Sequence, residues 1–262
     1  MKLILEIGCN HNGSFKLAKE MISKAAELGV WAVKFQKRDL DSIPEHVLKT
    51  KPNGYKEKRE GLEFSIKQIA ELKELAKKKD LKFICTAFDL QSAIELKSIN
   101  CEYIKLPSQL YLDHELFRFL SNHKQSVFVS TGMHDSDEIM KSKWIQEAFC
   151  VMHCISIYPF DYKDAQLGGI HSLTKACVGA VGYSSHDKNG EAIPYAVLAG
   201  AEFIERHFTL DKTMEGADHG TVSSDPQDIK KIIKEVEKIQ PLIKHKVLSE
   251  AETKTRKIYR GF

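Results

Sequence analysis

Eight short apolar runs recur along the 262-residue chain, and nearly every one closes on a polar residue suited to holding a phosphate, a carbonyl or a metal. They are LILEIG (3–8), WAVKFQ (31–36), FICTAF (83–88), YIKLPS (103–108), SVFVST (126–131), CVMHCIS (150–156), VGAVGYSSH (178–186) and FIERHF (203–208). Runs of this length read as strands. Helical patterns fill most of the gaps. Ser14 stands as an N-cap before a stripe of Phe15, Leu17, Ala18, Met21, Ile22, Ala25 and Leu28, and Gly29 ends it. Further helices are expected at 65–80, 90–99, 113–122, 135–147 and 189–200, with a last one after Asp225-Pro226. Strands alternating with helices imply parallel pairing and right-handed crossovers. A doubly wound open sheet competes, but it carries a G-x-G-x-x-G first turn, and Gly8-Cys9-Asn10-His11-Asn12-Gly13 is not one. Eight repeats favour a closed (β/α)8 barrel of the TIM type, with its chemistry at the carboxyl ends of the strands.

The chain length suits a single such barrel, expected over 1–245, with a basic tail or truncated linker at 246–262. A polar excursion at 37–63, with Pro44, Pro52, Gly54 and Gly61, follows the second strand; a loop this long on the active face suits a lid or substrate wall. Lysine plus arginine number 39 against 36 acidic residues, a net charge of +3 with the signs interspersed, which disfavours nucleic-acid binding. No apolar run approaches the ~20 residues of a membrane span, and a strand begins too early for a signal peptide. Six cysteines without a Cys-x-x-Cys pair fit a reduced, cytoplasmic protein.

Strand ends of a barrel converge on one pocket. The polar residues there are Glu6, Lys34, Gln36, Thr86, Lys105, Ser108, Ser130, Ser156, Tyr158, Ser184, His186 and His207. Two lysines among several hydroxyls suit a dianion such as phosphate. Two histidines on adjacent strands suit a divalent metal with positions left for water and substrate, hence a catalytic rather than a structural ion. Singly, each has a plainer reading: a lysine can snorkel, Glu6 can pair with Lys34 and merely brace the barrel, and Ser130-Thr131-Gly132 can be a turn. Their coincidence at every strand end carries the functional reading.

The same residues stand in strings that resemble the N-acetylneuraminate (sialic acid) synthase family, which includes the legionaminate, pseudaminate and spore-coat polysaccharide synthases. The strings are EIGCNHNG (6–13), VKFQ (33–36), TAFD (86–89), KLPS (105–108), STGM (130–133), HCISIYP (153–159), VGYSSHD (181–187), ERHFTLD (205–211) and GADHGTVSSDP (216–226). The resemblance implies condensation of phosphoenolpyruvate with an open-chain N-acetylated hexosamine, giving a nine-carbon 2-keto acid and phosphate. It implies a divalent metal, commonly manganese, with magnesium or cobalt as substitutes, on His186 and His207. It places Lys34, Thr86, Lys105, Ser108, Ser130, Ser156 and Ser184 around phosphoenolpyruvate, and Gln36, Tyr158 and Asp218 against the sugar. Glu6 becomes the acid/base, with Lys34 and Lys105 offsetting developing charge. A homodimer is expected from the family.

Three departures stand out. The family usually continues into an antifreeze-like cap domain, so the resemblance leaves three alternatives: a natural short form, a separate cap protein as partner, or a different sugar. Gln109-Leu110 follows Ser108 where the family often has Gly-Glu, so a carboxylate is missing there. Ser185 stands where the family has aspartate, so Ser185 or Asp187 is expected to orient His186. Two other functions fit a barrel of this kind: a Schiff-base aldolase using Lys105, and a non-catalytic or cap-dependent sugar or phosphoenolpyruvate binder.

Overall fold

The computed structural model describes residues 1–51, 54–216, 218–243 and 247–260. The domain boundary expected at 245–246 lies outside the described residues, as do Pro52 of the polar excursion and Ala217 of the 216–226 string. Eight parallel strands close on themselves: β1 (Lys2–Glu6), β2 (Ala32–Lys37), β3 (Lys82–Ala87), β4 (Tyr103–Leu106), β5 (Ser126–Ser130), β6 (Cys150–Cys154), β7 (Ala180–Ser185) and β8 (Phe203–His207), with β8 returning to β1.

Side chains alternate across a strand, and the alternation here separates two apolar clusters. Leu3, Leu5, Val33, Phe35, Val127 and Val129 point outward and pack against helix residues such as Met21, Leu72 and Ile229. Ile4, Ala32, Ile84, Phe128, Cys150, Met152 and Phe203 point inward as a separate cluster. Trp31, Tyr103, Phe128, Phe149 and Phe203 close the amino-terminal end of the barrel, their ring centroids 5.1–6.4 Å apart. Burying a ring of this kind contributes roughly 1.5–3 kcal/mol. The inward positions nearer the carboxyl ends are polar, so the barrel's interior changes from apolar floor to polar chamber within a few residues of each strand.

The helices follow local signals. Ser14 caps Phe15–Glu27 by accepting from Leu17 N, and Ser65 with Gln68 forms a capping box on Ile66–Lys78. Asp225 caps Pro226–Ile239, whose Ile229, Ile232 and Val236 are buried. Leu90–Ser98 and His114–Asn122 also form as expected.

Five segments differ from the sequence reading. Residues 135–147 break into Ser136–Lys141 and Trp144–Glu147, because Ser142 leaves the helical backbone region. The helix expected from 189 begins at Ile193, since Asn189 and Gly190 adopt positive φ. Gly168–Ala176 is an additional helix, masked in sequence by its glycine start. A Cβ on Gly169 would stand 2.8 Å from His153 Nδ1, so the helix docks on that ring only through a glycine. The polar excursion holds two short helices, Glu45–Thr50 and Tyr55–Glu60, and the tail holds the exposed helix Glu250–Tyr259. Among the described residues no helix is long and apolar enough to cross a membrane. All six cysteines are free.

Candidate active site

Strand register brings the polar inward residues to one level. Glu6 lies beside Lys34 on one side and His207 on the other; Thr86 lies beside Gln36 and Lys105 on different ladders, and Ser184 beside Cys154 and Glu205. The result is a buried quartet of two lysines and two carboxylates. Lys34 Nζ sits 2.8 Å from Glu6 Oε2, 3.6 Å from Glu205 Oε1 and donates to Thr86 Oγ1 at 2.9 Å. Lys105 Nζ sits 2.6 Å from Glu205 Oε1 and 3.3 Å from Ser184 Oγ. Ser184 Oγ also donates to Glu205 Oε1 at 3.2 Å.

Environment separates the two carboxylates. Burial works against the charge of both. At Glu205, Lys105 and Lys34 overcome burial and bring the pKa down to about 2. At Glu6 burial prevails over Lys34, and the charge of Glu205 adds to it, so its pKa is raised. Burial likewise opposes the charge of Lys34, but Glu205 and Glu6 outweigh it and raise that pKa. The quartet therefore keeps one fixed anion and one carboxyl able to exchange a proton nearer neutral pH.

Toward β5 and β6 the chamber becomes a hydroxyl cradle. A Cβ on Gly132 would fall 2.1 Å from Ser156 Oγ, 2.7 Å from Ser108 Oγ and 3.2 Å from Cys154 Sγ. Gly132 thus keeps open a space that any side chain would fill, between hydroxyls suited to anion oxygens. Ser130 Oγ is buried and has no hydrogen-bond partner among the described residues, as expected of a donor reserved for a ligand. Gly132→Ala is expected to raise the KM for an anionic substrate held in this cradle by ten-fold or more, on the order of one lost charge-assisted contact, with the fold retained. Steady-state kinetics with circular dichroism checks this, and an unchanged KM refutes the cradle.

The two histidines expected to hold a metal face each other with ring centroids 5.4 Å apart, and Tyr158 stacks on His186 at 3.9 Å. His186 Nδ1 lies 2.8 Å from the Ile155 carbonyl, which fixes Nδ1 as the donor and leaves Nε2 with its lone pair. This revises the expectation for Ser185 and Asp187. Ser185 donates to Asp187 at 2.6 Å, Asp187 also accepts from Tyr183 and from Ala192 N, and Arg206 donates to Ser185 Oγ and the Asp187 carbonyl. That network lies on the outward side of β7 and β8 and braces the loop, while a backbone carbonyl orients the ring. His207 Nδ1 is buried without a hydrogen-bond partner and lies 3.6 Å from Asp218 Oδ2. Burial lowers the His207 pKa, against the pull of Asp218, so the ring stays neutral with lone-pair character. An orphaned imidazole nitrogen facing a second oriented imidazole fits a divalent ion. Among the described residues no group of three or more His, Cys, Asp or Glu ligands gathers, so such an ion would depend on water and substrate for its remaining positions.

Loops complete the mouth. Asn10 donates to the Phe208 carbonyl and Ser223 Oγ, and Asn12 donates to the Glu215 carbonyl, clasping the loop after β1 to the loop that carries Asp218. Gln36 Nε2 donates to Glu6 Oε1 at 2.6 Å and its Oε1 accepts from Arg38 at 2.8 Å. Asp89 caps Leu90–Ser98 and accepts from Asp39 N, tying the excursion to β3. His11 stacks on Phe64 at 4.2 Å, and burial lowers its pKa to about 4, so it packs as a neutral ring.

The strand-end residues singled out from the sequence, with Asp218, therefore face this chamber or its mouth, whereas Ser185 and Asp187 lie on the outward side. Sequence reasoning overlooked Glu205, Cys154 and Arg38. Glu205 had a legible signal: it stands two residues before His207 on a strand, and so on the same face. It is the second carboxylate of the quartet, whereas the position at which the resemblance expects a glutamate is Leu110, partly buried just beyond β4.

Known proteins give the arrangement its context. The chain is 36% identical over 246 residues to the N-acetylneuraminate-9-phosphate synthase of Drosophila melanogaster, covering 87% of this chain and 65% of that one. It is 32% identical over 254 residues to the N,N'-diacetyllegionaminic acid synthase of Campylobacter jejuni, covering 91% and 76%. The sialic acid synthetase of Leptospira borgpetersenii, solved with citrate, superposes with a TM-score of 0.87 at 31% identity, covering 99% and 92%. With the NeuB family profile matching residues 21–247, the greater part of the barrel, this chain belongs to the NeuB family.

Proposed function

We propose that this chain condenses phosphoenolpyruvate with an open-chain N-acetylated hexosamine, forming a nine-carbon 2-keto sugar acid and releasing phosphate. The observation that carries the reading is the Gly132 hydroxyl cradle set beside two buried lysines, a site built for a small, highly charged anion. Its relatives' names divide between products that carry a phosphate and products that do not.

Lys34 and Lys105 balance the phosphate and carboxylate of phosphoenolpyruvate, with Ser108, Ser130, Ser156, Ser184 and Thr86 donating to its oxygens. Gln36, Tyr158 and Asp218 line the approach taken by the sugar. His186 and His207 would hold a divalent ion, manganese foremost and magnesium or cobalt as substitutes, which when bound polarises the aldehyde oxygen as a Lewis acid. The C2–C3 double bond of phosphoenolpyruvate supplies the electron pair with which the enol carbon attacks the aldehyde carbon, the aldehyde oxygen takes a proton from solvent water, and positive charge develops at C2 of the former phosphoenolpyruvate. Water adds to C2 and yields a proton to Glu6, whose raised pKa suits that exchange. The tetrahedral carbon then expels phosphate by C–O cleavage. Glu205, held ionised, stabilises the lysines and the developing cation.

The aldolase alternative needs a free, desolvated amine at Lys105. Its amine is instead locked to Glu205 at 2.6 Å, and pyruvate with borohydride is expected to leave no adduct. The deciding experiment measures phosphate release from phosphoenolpyruvate with manganese and a panel of N-acetylated and diacetamido hexoses. Binding without release across the whole panel refutes the enzyme reading. His186→Ala is expected to abolish release and to lose manganese binding by calorimetry, without rescue by excess metal; full activity in that variant removes His186 from the site.

A further inference from the structure

The mouth of the chamber contains a cation that the reaction scheme leaves unused. Arg59, on the short helix Tyr55–Glu60 of the polar excursion, is half-buried and reaches Cys9 in the loop after β1. Its Nη1 donates to Cys9 Sγ at 2.8 Å, its Nε donates to Tyr55 OH at 3.2 Å, and its guanidinium stands 5.4 Å from the Tyr55 ring. Among the described residues no carboxylate lies within 4.0 Å of it. A thiol is a weak acceptor, and a guanidinium has five donors, so most of the fork is unused; the charge of Asp218 reaches it only from beyond ion-pair distance. The neighbouring Arg38 differs. It is paired with Glu63 at 3.4 Å, stacks on Phe88 at 3.6 Å, and holds Gln36.

The position is informative. Cys9 Sγ is 3.8 Å from Gln36 Oε1, and Gln36 in turn holds Glu6. Arg59 therefore lies three contacts from Glu6, through Cys9 and Gln36, while His186 and His207 stand at the ends of β7 and β8. An acceptor with its aldehyde by the imidazoles and its chain running past Gln36 would bring its far end to this wall. A partly buried cation with no carboxylate in direct contact, Asp218 acting on it only from a distance, gains from an anion that docks beside it.

We propose that Arg59 reads a negatively charged group, a phosphate monoester, on the end of the acceptor sugar remote from the aldehyde. The inference deepens the synthase reading and rests on it. The three carbons of phosphoenolpyruvate add at the aldehyde end, so a phosphate on the sugar's terminal carbon survives as the phosphate on the last carbon of the product. Arg38 supports the site indirectly by fixing Gln36, and Tyr55 orients the guanidinium by accepting from its Nε.

The test uses the full chain with phosphoenolpyruvate and manganese, and follows phosphoenolpyruvate consumption with N-acetylmannosamine or with its 6-phosphate. Wild type is expected to favour the phosphorylated sugar in kcat/KM. Arg59→Ala is expected to lower kcat/KM for the phosphorylated sugar about 10- to 100-fold more than for the unphosphorylated one, chiefly through KM; Arg59→Lys restores part of the difference. Equal losses on both sugars, or a wild type that prefers the uncharged one, overturn the assignment while leaving the synthase reading intact. Consumption of phosphoenolpyruvate with neither sugar overturns this assignment, and failure across the wider hexose panel overturns the synthase reading as well.

Discussion

In a Lys105→Met variant, turnover of phosphoenolpyruvate is expected to fall by on the order of 10²–10³ or more, because a charge aimed at the reacting anion is lost. Stability falls as well. Lys105 and Glu205 are both nearly inaccessible and 2.6 Å apart, and removing one member of a buried pair typically costs roughly 3–5 kcal/mol. Lys34, 3.6 Å from the same oxygen, keeps the loss toward the lower end of that range. The double variant Lys105→Met/Glu205→Gln separates the two effects: it regains most of the stability in urea titrations and none of the turnover. A single variant that is both stable and active refutes the quartet's role. The depressed pKa of Glu205 also sets a pH window. Its contribution to stability is complete above the ordinary carboxyl value of 4.5 and is lost as the pH falls toward about 2.

Glu6→Gln has the next largest expected effect. If Glu6 takes the proton of the adding water, the amide lowers kcat by roughly 10²–10⁴ while phosphoenolpyruvate still binds. Because burial raises the Glu6 pKa, the carboxylate is populated only at a pH above the usual carboxyl range. Wild-type kcat is therefore expected to decline on acidification with a midpoint above 4.5, and the residual activity of Glu6→Gln shows no such limb. Stopped-flow or steady-state profiles in both proteins decide it; a shared acid limb transfers the role to another group.

The sequence announced the barrel through a signal that burial makes strong. Each strand needs one face against the helices, so apolar residues recur at Leu3 and Leu5, at Val33 and Phe35, at Val127 and Val129. The inward residues were legible wherever a polar side chain interrupted that pattern, which is why Lys34, Lys105 and Ser184 were found. Glu205 was hidden by standing inside a string read for its histidine. The carbonyl of Ile155 was invisible in principle, since reading side chains says nothing about which backbone group meets a ring. The helix at Gly168 was obscured because packing against His153 demands glycine where helix propensity disfavours it. Arg59 was obscured for a related reason: its helix is one and a half turns long, too short to show a periodic stripe, and its position depends on contacts with Cys9 and Tyr55.

The aromatic floor has a consequence for traffic. With Trp31, Tyr103, Phe128, Phe149 and Phe203 stoppering one end, entry and exit share a single doorway. Whatever settles on the lysines at the bottom must arrive before anything that lodges against the wall above, and it cannot depart until the upper occupant has gone. The architecture thus imposes a queue, first in and last out.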